Sequence, residues 1–192
     1  MAKRLRACTS RTRDIKPFQQ GALDSLCGVY SIVNALRLLC AELNQEKCED
    51  LFAVLMNGLA RRGRHSQRAA WCGLSAHRLL QLLNQAVHHL RFRYGIHIVV
   101  DRVPTVHSEQ KNLSKLWTVL RRRIGEGAVS MVGLFGRYEH WTVAFAISEK
   151  HIKLFDSDGM RILRRSRCTT QNTLRRYGMS PKDIFFVQRV EH

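Results

Sequence analysis

The first long pattern of apolar residues lies between Leu26 and Leu43. Its apolar positions recur at spacings of three and four residues, which is the period of one face of an amphipathic helix. They are Val29, Ile32, Val33, Leu36, Leu39, Cys40 and Leu43. Asp50 to Leu59 and Leu74 to Leu90 predict two further helices, and Ser75 is a suitable N-cap for the second of them. The first half of the chain is therefore predicted to be helical.

The period changes in the second half of the chain. The β-branched run Ile96 to Val100 predicts a short strand, and a helix follows that ends at Gly125 and Gly127. Further strands are predicted over Ala128 to Leu134, His140 to Ile147, His151 to Phe155 and Ile184 to Val190. The polar residues 148–150 join two of these strands in a tight hairpin. Helices first and antiparallel strands second predict an α+β fold.

The length and composition favour one domain with an ordinary globular core. The chain has 192 residues, of which 45% are hydrophobic, and only 3 Pro and 12 Gly, which excludes collagenous and wholly disordered proteins. No apolar run approaches the roughly 20 residues of a membrane-spanning helix, and the basic start lacks the apolar part of a secretory signal. We therefore expect a single domain over residues 1–192, with a basic N-terminal segment at 1–14, in the reducing cytoplasm.

The cysteines do not suggest a metal site or a disulfide framework. They are found at positions 8, 27, 40, 48, 72 and 168. None of them forms a C-x-x-C pair, and no cysteine and histidine cluster has the spacing of a zinc site. We therefore expect neither a metal nor another cofactor, and the cysteines become candidates for nucleophilic chemistry.

Cys27 stands in the first turn of the first predicted helix. At roughly 100° per residue, its side chain points about 180° away from the centre of the apolar stripe, alongside Ser31 and Asn34. A thiol in this turn lies near unpaired backbone N–H groups and the positive end of the helix dipole, which favour the reactive thiolate. Cys40 lies on the stripe and is expected to be a small buried residue, which is the alternative for Cys27. Cys72 precedes its helix by several residues and is the weaker candidate nucleophile.

A cysteine nucleophile needs a base within hydrogen-bonding distance and a third group that orients the base. His140 opens a predicted strand, and Asp156 and Asp158 follow the partner strand of the same hairpin. A two-residue turn in this hairpin places Val143 opposite Asp156 and Trp141 opposite Asp158. Either carboxylate could then approach the imidazole. The alternative is a structural histidine at a strand end, followed by an ordinary turn.

The order of these residues resembles the papain-like cysteine peptidase superfamily, and within it the type that processes bacteriocin leader peptides and its stand-alone relatives. A glutamine precedes Cys-Gly at the head of a helix, a distant His-aromatic pair opens a strand, and an aspartate follows one hairpin later. The similar segments are Phe18-Gln19-Gln20, Asp24-Ser25-Leu26-Cys27-Gly28, Gly73-Leu74-Ser75, His140-Trp141-Thr142-Val143 and Leu154-Phe155-Asp156. They extend from about residue 15 to residue 158.

The resemblance implies a papain-like α+β fold in which the nucleophile helix packs on a C-terminal antiparallel sheet. It also implies that Cys27 is the nucleophile, His140 the base that becomes the acid, and Asp156 the orienting group. Gln20 would donate its side-chain amide to the oxyanion, together with the backbone N–H of Cys27. Gln20 lies seven residues before Cys27, one more than is usual in such enzymes, so the loop bulges or Gln19 takes its place.

The chain is strongly basic, with 32 Lys and Arg against 15 Asp and Glu and a net charge of +17. The arginines occur in groups, at 61, 62 and 64, at 121–123, at 164, 165 and 167, and at 175 and 176. This excess exceeds what solubility requires, so we expect an acidic partner, either nucleic acid or an acidic protein. The sequence contains no helix-turn-helix or RNA-binding aromatic motif, which leaves contact with the phosphate backbone as the mode for nucleic acid. The alternative is a solvated face.

The sequence therefore predicts a thiol hydrolase, similar to cysteine peptidases, that cleaves an amide bond in a peptide or protein. Two alternatives remain open. The same triad could catalyse side-chain deamidation or transglutaminase-like acyl transfer, or the chain could be a catalytically idle basic module that binds nucleic acid or an acidic protein. A probe for reactive thiols separates the enzymes from the binding module, because only an enzyme is expected to label specifically at Cys27.

Overall fold

The computed structural model describes residues 15–21, 24–61, 73–103, 112–171 and 176–190. Within these ranges the chain forms four α-helices and a seven-stranded sheet, which confirms the predicted α+β class. The helices are α1 (Cys27–Leu39), α2 (Gln45–Ala60), α3 (Ala76–Tyr94) and α4 (Leu113–Gly125). The strands are β1 (Ile98–Arg102), β2 (Val129–Phe135), β3 (His140–Ile147), β4 (His151–Leu154), β5 (Ile162–Arg164), β6 (Cys168–Thr169) and β7 (Tyr177–Arg189). The basic segment predicted at 1–14 lies outside the described residues.

The strands follow the order β1-β7-β2-β3-β4-β5, and the short β6 pairs with the start of β7. Every pair is antiparallel except β6 and β7, which run parallel. In the β2–β3 hairpin, His140 at the start of β3 pairs with Leu134 near the end of β2. This pairing places His140 at one end of the sheet, where the first turn of α1 can reach it.

The sheet separates two apolar cores. In β2, Val129 and Met131 belong to the core formed with α1, α2 and α3, whereas Val132 and Leu134 belong to the core formed with α4. This alternation follows from the two-residue period of a strand whose two faces are both covered. The helix that carries Cys27 and helix α4 therefore lie on opposite faces of the sheet.

Side-chain caps determine where three of the helices begin, and the cap of α4 is Asn112. The Ser75 hydroxyl accepts a hydrogen bond from the backbone N–H of Arg78 over 3.4 Å, which confirms the predicted N-cap of α3. The side chain of Asn44 accepts from the backbone N–H of Lys47 over 3.1 Å, so α2 begins at residue 45 rather than at the predicted Asp50. The sequence pattern missed this first turn because its residues are polar.

The last strand is longer than predicted. A closing strand is expected only from Ile184 to Val190, whereas β7 begins at Tyr177. Residues 178–183 include glycine, serine, proline and aspartate, which are typical of turns and hide the first half of the strand. The short strands β5 and β6 are also absent from the prediction, because they lie in an arginine-rich stretch without an apolar pattern.

Among the helices in the described part of the chain, none combines the length and the apolar character that crossing a bilayer requires.

Candidate active site

Cys27 is the first residue of α1, and its side chain is buried. The turn before the helix is arranged around Asp24, whose carboxylate accepts hydrogen bonds from the backbone N–H groups of Gly21 and Leu26, over 2.9 and 3.1 Å. The first backbone N–H groups of a helix have no partner within the helix. The thiol of Cys27 therefore stands at the end of α1 where the backbone N–H groups lack a partner within the helix, which is the placement that the sequence predicted.

The polar face of α1 is buried in the protein rather than exposed to water. The hydroxyl of Ser31 donates to the backbone carbonyl of Trp141 in β3 over 2.8 Å. The side-chain amide of Asn34 donates to the carbonyl of Phe18 over 3.0 Å and accepts from its N–H over 2.9 Å. The face that carries Cys27 is therefore fixed to β3 on one side and to residues 15–21 on the other.

Gly28 follows Cys27 because no larger residue fits there. A Cβ atom at this position would lie 2.9 Å from side-chain carbons of both Leu74 and Leu79. Separations below 3.0 Å essentially never occur for real Cβ atoms, so α1 can approach the start of α3 this closely only at a glycine. The carbonyl of Leu74 also accepts a hydrogen bond of 2.7 Å from the indole of Trp141. These contacts hold the first turn of α1 against β3.

His140 and Asp156 form a buried pair beside Cys27. The Nε2 atom of His140 lies 2.6 Å from a carboxylate oxygen of Asp156, and the two side chains are 4% and 0% exposed. The thiol of Cys27 lies within hydrogen-bonding reach of the same imidazole and contributes to its pKa. Because Nε2 is engaged by Asp156, Nδ1 is the ring nitrogen left to face the thiol. The structure thus brings together the three residues predicted as nucleophile, base and orienting group.

The carboxylate of Asp156 is held in place from both sides. Its second oxygen accepts hydrogen bonds from the backbone N–H groups of Asp158 and Met160, both over 2.9 Å. No hydrogen bond or ion pair joins Asp158 to His140 within the described part of the chain, and the Asp158 carboxylate accepts a hydrogen bond from the hydroxyl of Tyr138. Of the two carboxylates that the sequence left open, Asp156 is therefore the one that binds the imidazole.

The predicted register of the β3–β4 hairpin is correct only near the turn. Ile147 pairs with Ile152 as predicted. Between Ala146 and Ala144, farther from the turn, the register shifts by one residue, so that Ala144 pairs with Leu154. The predicted pairing of Val143 with Asp156 is therefore wrong, since the Val143 carbonyl instead accepts from the N–H of residue 155 over 2.8 Å. This irregularity moves Asp156 by one position along β3.

The interactions of His140 and Asp156 shift both pKa values. Burial lowers the pKa of His140, but the hydrogen bonds and negative charges of Asp156 and Cys27 together outweigh burial and raise it to about 9. Burial raises the pKa of Asp156, but the hydrogen bond and positive charge of His140 outweigh it and hold this pKa below its usual range. At neutral pH, His140 therefore carries a proton while Asp156 is ionised.

The two glutamines before Cys27 have different partners. The side-chain amide of Gln19 donates to the backbone carbonyls of Pro17 and Asp156, over 3.3 and 3.1 Å. The side-chain oxygen of Gln20 accepts from the Ser157 hydroxyl over 3.4 Å, and its NH₂ group has no partner among the described residues. Gln20 therefore has a free donor, whereas the donor of Gln19 is occupied. The predicted role of Gln20 at an oxyanion remains a prediction.

A cleft of about 310 Å³ opens beside the dyad of Cys27 and His140. Its walls come from the start of α3, the end of β2 and the start of β3. The other lining residues are Gly73, Leu74, Ser75, Ala76, Gly133, Leu134, Phe135, Glu139, Trp141 and Asp183. The dyad is thus buried on one side and accessible from the cleft on the other, as a group that reacts with a substrate must be.

The remaining cysteines of the described chain, Cys40, Cys48 and Cys168, are buried and form no disulfide. Cys40 lies in the apolar core as predicted. Cys8 and the rival nucleophile Cys72 lie outside the described residues. Over the ranges that the structure describes, no group of three or more histidine, cysteine or carboxylate side chains could hold a metal ion.

A second cavity, of about 420 Å³, lies where α4 meets the 148–150 turn and the end of β5. We call the surface that lines this cavity the arginine face. Its residues are Ser114, Trp117, Thr118, Arg121, Arg122, Glu149 and Arg165. Arg165 donates to the Ser114 hydroxyl over 2.8 Å and lies 5.5 Å from the centre of the Trp117 ring. Other members of the predicted basic groups, including Arg62, Arg64 and Arg175, lie outside the described residues.

We assigned no role from the sequence to three residues in or beside the cleft. Trp141 ties β3 to the start of α3 and stacks on Phe185 with 6.0 Å between the ring centres. Ser31 joins α1 to β3, and its polar position on an otherwise apolar helix is a signal that could have identified it. Asp183 lines the cleft from β7, and nothing in the local pattern of the sequence points to it.

Comparison of the chain with family models, curated proteins and solved structures found no match.

Proposed function

We propose that the protein is a papain-like thiol hydrolase that cleaves an amide bond in a peptide or protein. The observation that carries this proposal is the buried pair of His140 and Asp156 next to Cys27, at the wall of an accessible cleft. A nucleophile, a base and an orienting group in contact are the requirement for nucleophilic catalysis by a thiol. A purely structural histidine has no need of a cysteine and an open cleft on its second side.

In the proposed reaction the attacking form of Cys27 is the thiolate, and His140 carries the proton. The sulfur of Cys27 attacks the carbonyl carbon of the scissile amide, and the carbonyl electrons move to the oxygen. The backbone N–H of Cys27 and the free NH₂ group of Gln20 are the donors assigned to this oxyanion. The proton on His140 passes to the leaving nitrogen, the C–N bond breaks, and the acyl group remains on sulfur as a thioester.

The second half of the reaction regenerates the enzyme. The imidazole of His140, now neutral, takes a proton from water as the water oxygen attacks the thioester carbon. The C–S bond breaks, the carboxylic acid leaves, and the proton on His140 remains next to the sulfur of Cys27. Throughout the cycle Asp156 holds the ring in one orientation and stabilises its charged form. The reducing cytoplasm that we assign to the protein keeps this thiol free, as it is in the structure.

The test uses a peptide library made by digesting a denatured proteome. The library is incubated with the native chain, with Cys27→Ala and with Cys40→Ala, and new amino termini are identified by mass spectrometry. New termini with the native chain and Cys40→Ala, but not with Cys27→Ala, support the proposal. Release of ammonia without new termini would identify a deamidase instead. Equal products from all three proteins would contradict the proposal.

The arginine face favours a second function, which is binding to the phosphate backbone of a nucleic acid. Arg122 and Arg165 form no ion pair with a described residue, and the Ser114 hydroxyl, which accepts from Arg165, lines the same cavity. Guanidinium and hydroxyl groups are the donors that most often bind phosphate oxygens. A gel-shift titration with random duplex and single-stranded probes tests this function. The absence of a shift at low salt would contradict it.

A further inference from the structure

The cleft beside Cys27 differs in charge from the rest of the protein. The chain has a net charge of +17. Apart from His140, the only charged side chains among the described residues that line this cleft are Glu139 and Asp183, and both are acidic. No described lysine or arginine lines the cleft. A substrate that enters it therefore meets a local charge opposite to that of the surrounding surface.

An irregularity in β7 places Asp183 in the cleft. Val132 of β2 pairs with Ile184, but Leu134 pairs with Met179, so the single residue Gly133 faces residues 180–183. A Cβ atom at Gly133 would lie 2.9 Å from the Cβ atom of Asp183 and 2.9 Å from the Trp141 ring. Because Gly133 has no side chain, Asp183 and Trp141 can both pack against β2 at this position, one on each side.

The carboxylate of Asp183 has no partner in the described part of the chain. The side chain is half-buried, yet it forms no hydrogen bond and no ion pair with a described residue. Burial raises its pKa, and the charge of the neighbouring, exposed Lys182 opposes this rise only in part. A partly desolvated carboxylate without a partner is unfavourable, and a bound cation removes that penalty. Asp156 illustrates the contrast, because its two oxygens are fully bonded.

We propose that Asp183, with Glu139 at the rim, forms a subsite for the cationic side chain of a lysine or arginine next to the scissile bond. The inference rests on the proposed hydrolase function and names its substrate class. A lysine or arginine side chain supplies the hydrogen bonds and the positive charge that the Asp183 carboxylate lacks. An acidic substrate residue would be repelled by both carboxylates.

The test measures how fast peptidyl epoxysuccinates alkylate Cys27. These probes extend on either side of the reacting carbon, and each set carries lysine, the uncharged norleucine or glutamate at one flanking position. Intact mass and peptide mapping give the rate at Cys27. We expect the lysine probe to react faster than the norleucine probe by about tenfold, and the glutamate probe to be the slowest.

Variants locate the origin of the preference. Asp183→Asn should bring the lysine to norleucine ratio close to one, Glu139→Gln should reduce it less, and Asp183→Lys should favour glutamate. Glu149→Gln is the matched control, since it removes the same charge from the arginine face, and it should leave the ratio unchanged. Equal rates for the three probes, or a preference that survives in Asp183→Asn, would overturn the inference.

Failure of the inference can be distinguished from failure of the proposed function. If no peptidyl probe labels Cys27, the hydrolase proposal fails. The charge of the subsite is then measured with small methanethiosulfonates that carry a positive or a negative group, because these react with any accessible thiol. A cation to anion rate ratio at Cys27 that falls severalfold in Asp183→Asn supports the cationic subsite, and an unchanged ratio rejects it.

Discussion

The charged groups of the cleft and those of the arginine face differ in how deeply they are buried and how closely they are paired. In the cleft, His140 and Asp156 are almost fully buried, 2.6 Å apart, and held by further hydrogen bonds. On the arginine face, Arg121 and Glu149 are 3.5 Å apart, with side chains 58% and 78% exposed. A buried pair fixes a geometry, because separating it leaves an uncompensated charge, whereas an exposed pair contributes only about 0–1 kcal/mol.

The two regions are also far apart. They lie at opposite ends of β3, which over eight residues spans roughly 25 Å, and the helices next to them cover opposite faces of the sheet. The two regions therefore differ in how firmly their charged groups are held. The cleft fixes its groups in one geometry, which the proposed reaction requires, whereas on the arginine face Arg122 and Arg165 form no ion pair with a described residue, which the proposed binding requires.

The strongest test of the cleft is the loss of its orienting carboxylate. Asp156→Ala leaves the imidazolium of His140 buried without its partner, so we expect turnover of a cleaved library peptide to fall by about a hundredfold or more. Asp158→Ala is the matched control, since Asp158 is exposed and binds Tyr138 rather than His140, and its effect should be mild. The measurement is kcat/KM for both variants. The reverse ranking would mean that Asp158 performs the orienting role.

The pH dependence of stability tests the charge of the buried histidine. The pKa of His140 in the folded chain is about 9, above its ordinary value of 6.5. Its protonation therefore stabilises the fold fully below pH 6.5, and this contribution is lost as the pH rises through about 9. The loss should be on the order of 3 kcal/mol in the free energy of unfolding.

Urea denaturation between pH 6 and pH 10 under reducing conditions measures this loss. Asp156→Asn is the informative comparison, because removing the negative charge should bring the pKa of His140 down and flatten the curve. Equal pH dependence in the two proteins would show that the pair does not hold the proton.

Close packing at Gly28 tests whether the position of Cys27 depends on its neighbour. Gly28→Ala forces a Cβ atom against Leu74 and Leu79, so we expect a loss of about 1–3 kcal/mol in stability. Gly125→Ala is the control, since a Cβ atom there has no neighbour within 4 Å. Thermal denaturation of the two variants gives the comparison. If both variants have the same melting temperature, the close contact at α1 does not constrain the site.

The smallest expected effect concerns the arginine face. Replacing Arg121, Arg122 and Arg165 with glutamine should weaken binding to a random duplex and reduce its salt dependence, by about one unit of logarithmic slope per lost phosphate contact. Glutamine at Arg61, Arg91 and Arg93 removes the same charge from the C-cap of α2 and from α3, and this control should have a smaller effect. If salt changes only the association rate of a captured acidic protein, the partner is a protein rather than a nucleic acid.

Much of the fold follows from local patterns, and the exceptions have physical reasons. The apolar stripe of α1 and the Ser75 cap are readable because helix period and capping act over a few residues. The shifted register before Ala144 and the first half of β7 are not readable, since both depend on pairing with distant strands. Asp183 belongs to the second group, and only the fold brings it to Cys27.

In the candidate site, too, some features follow from local sequence patterns and others depend on contacts between distant residues. The position of Cys27 away from the apolar stripe is predictable, because it depends only on the geometry of one helix. The choice between Asp156 and Asp158 is not, since it depends on an irregularity in the β3–β4 hairpin and on the backbone donors of residues 158 and 160. The sequence supplied the candidates, and the three-dimensional contacts distinguished between them.

The most direct test of the central claim is the rate at which iodoacetamide alkylates each cysteine at neutral pH. Peptide mapping over time gives six rates, one for each cysteine of the chain. We predict that Cys27 reacts fastest in the native protein and that this excess disappears in His140→Ala, while the other five rates remain unchanged. Faster reaction at Cys72 or Cys8, or an unchanged rate at Cys27 in His140→Ala, would contradict the assignment of Cys27 as a nucleophile activated by His140.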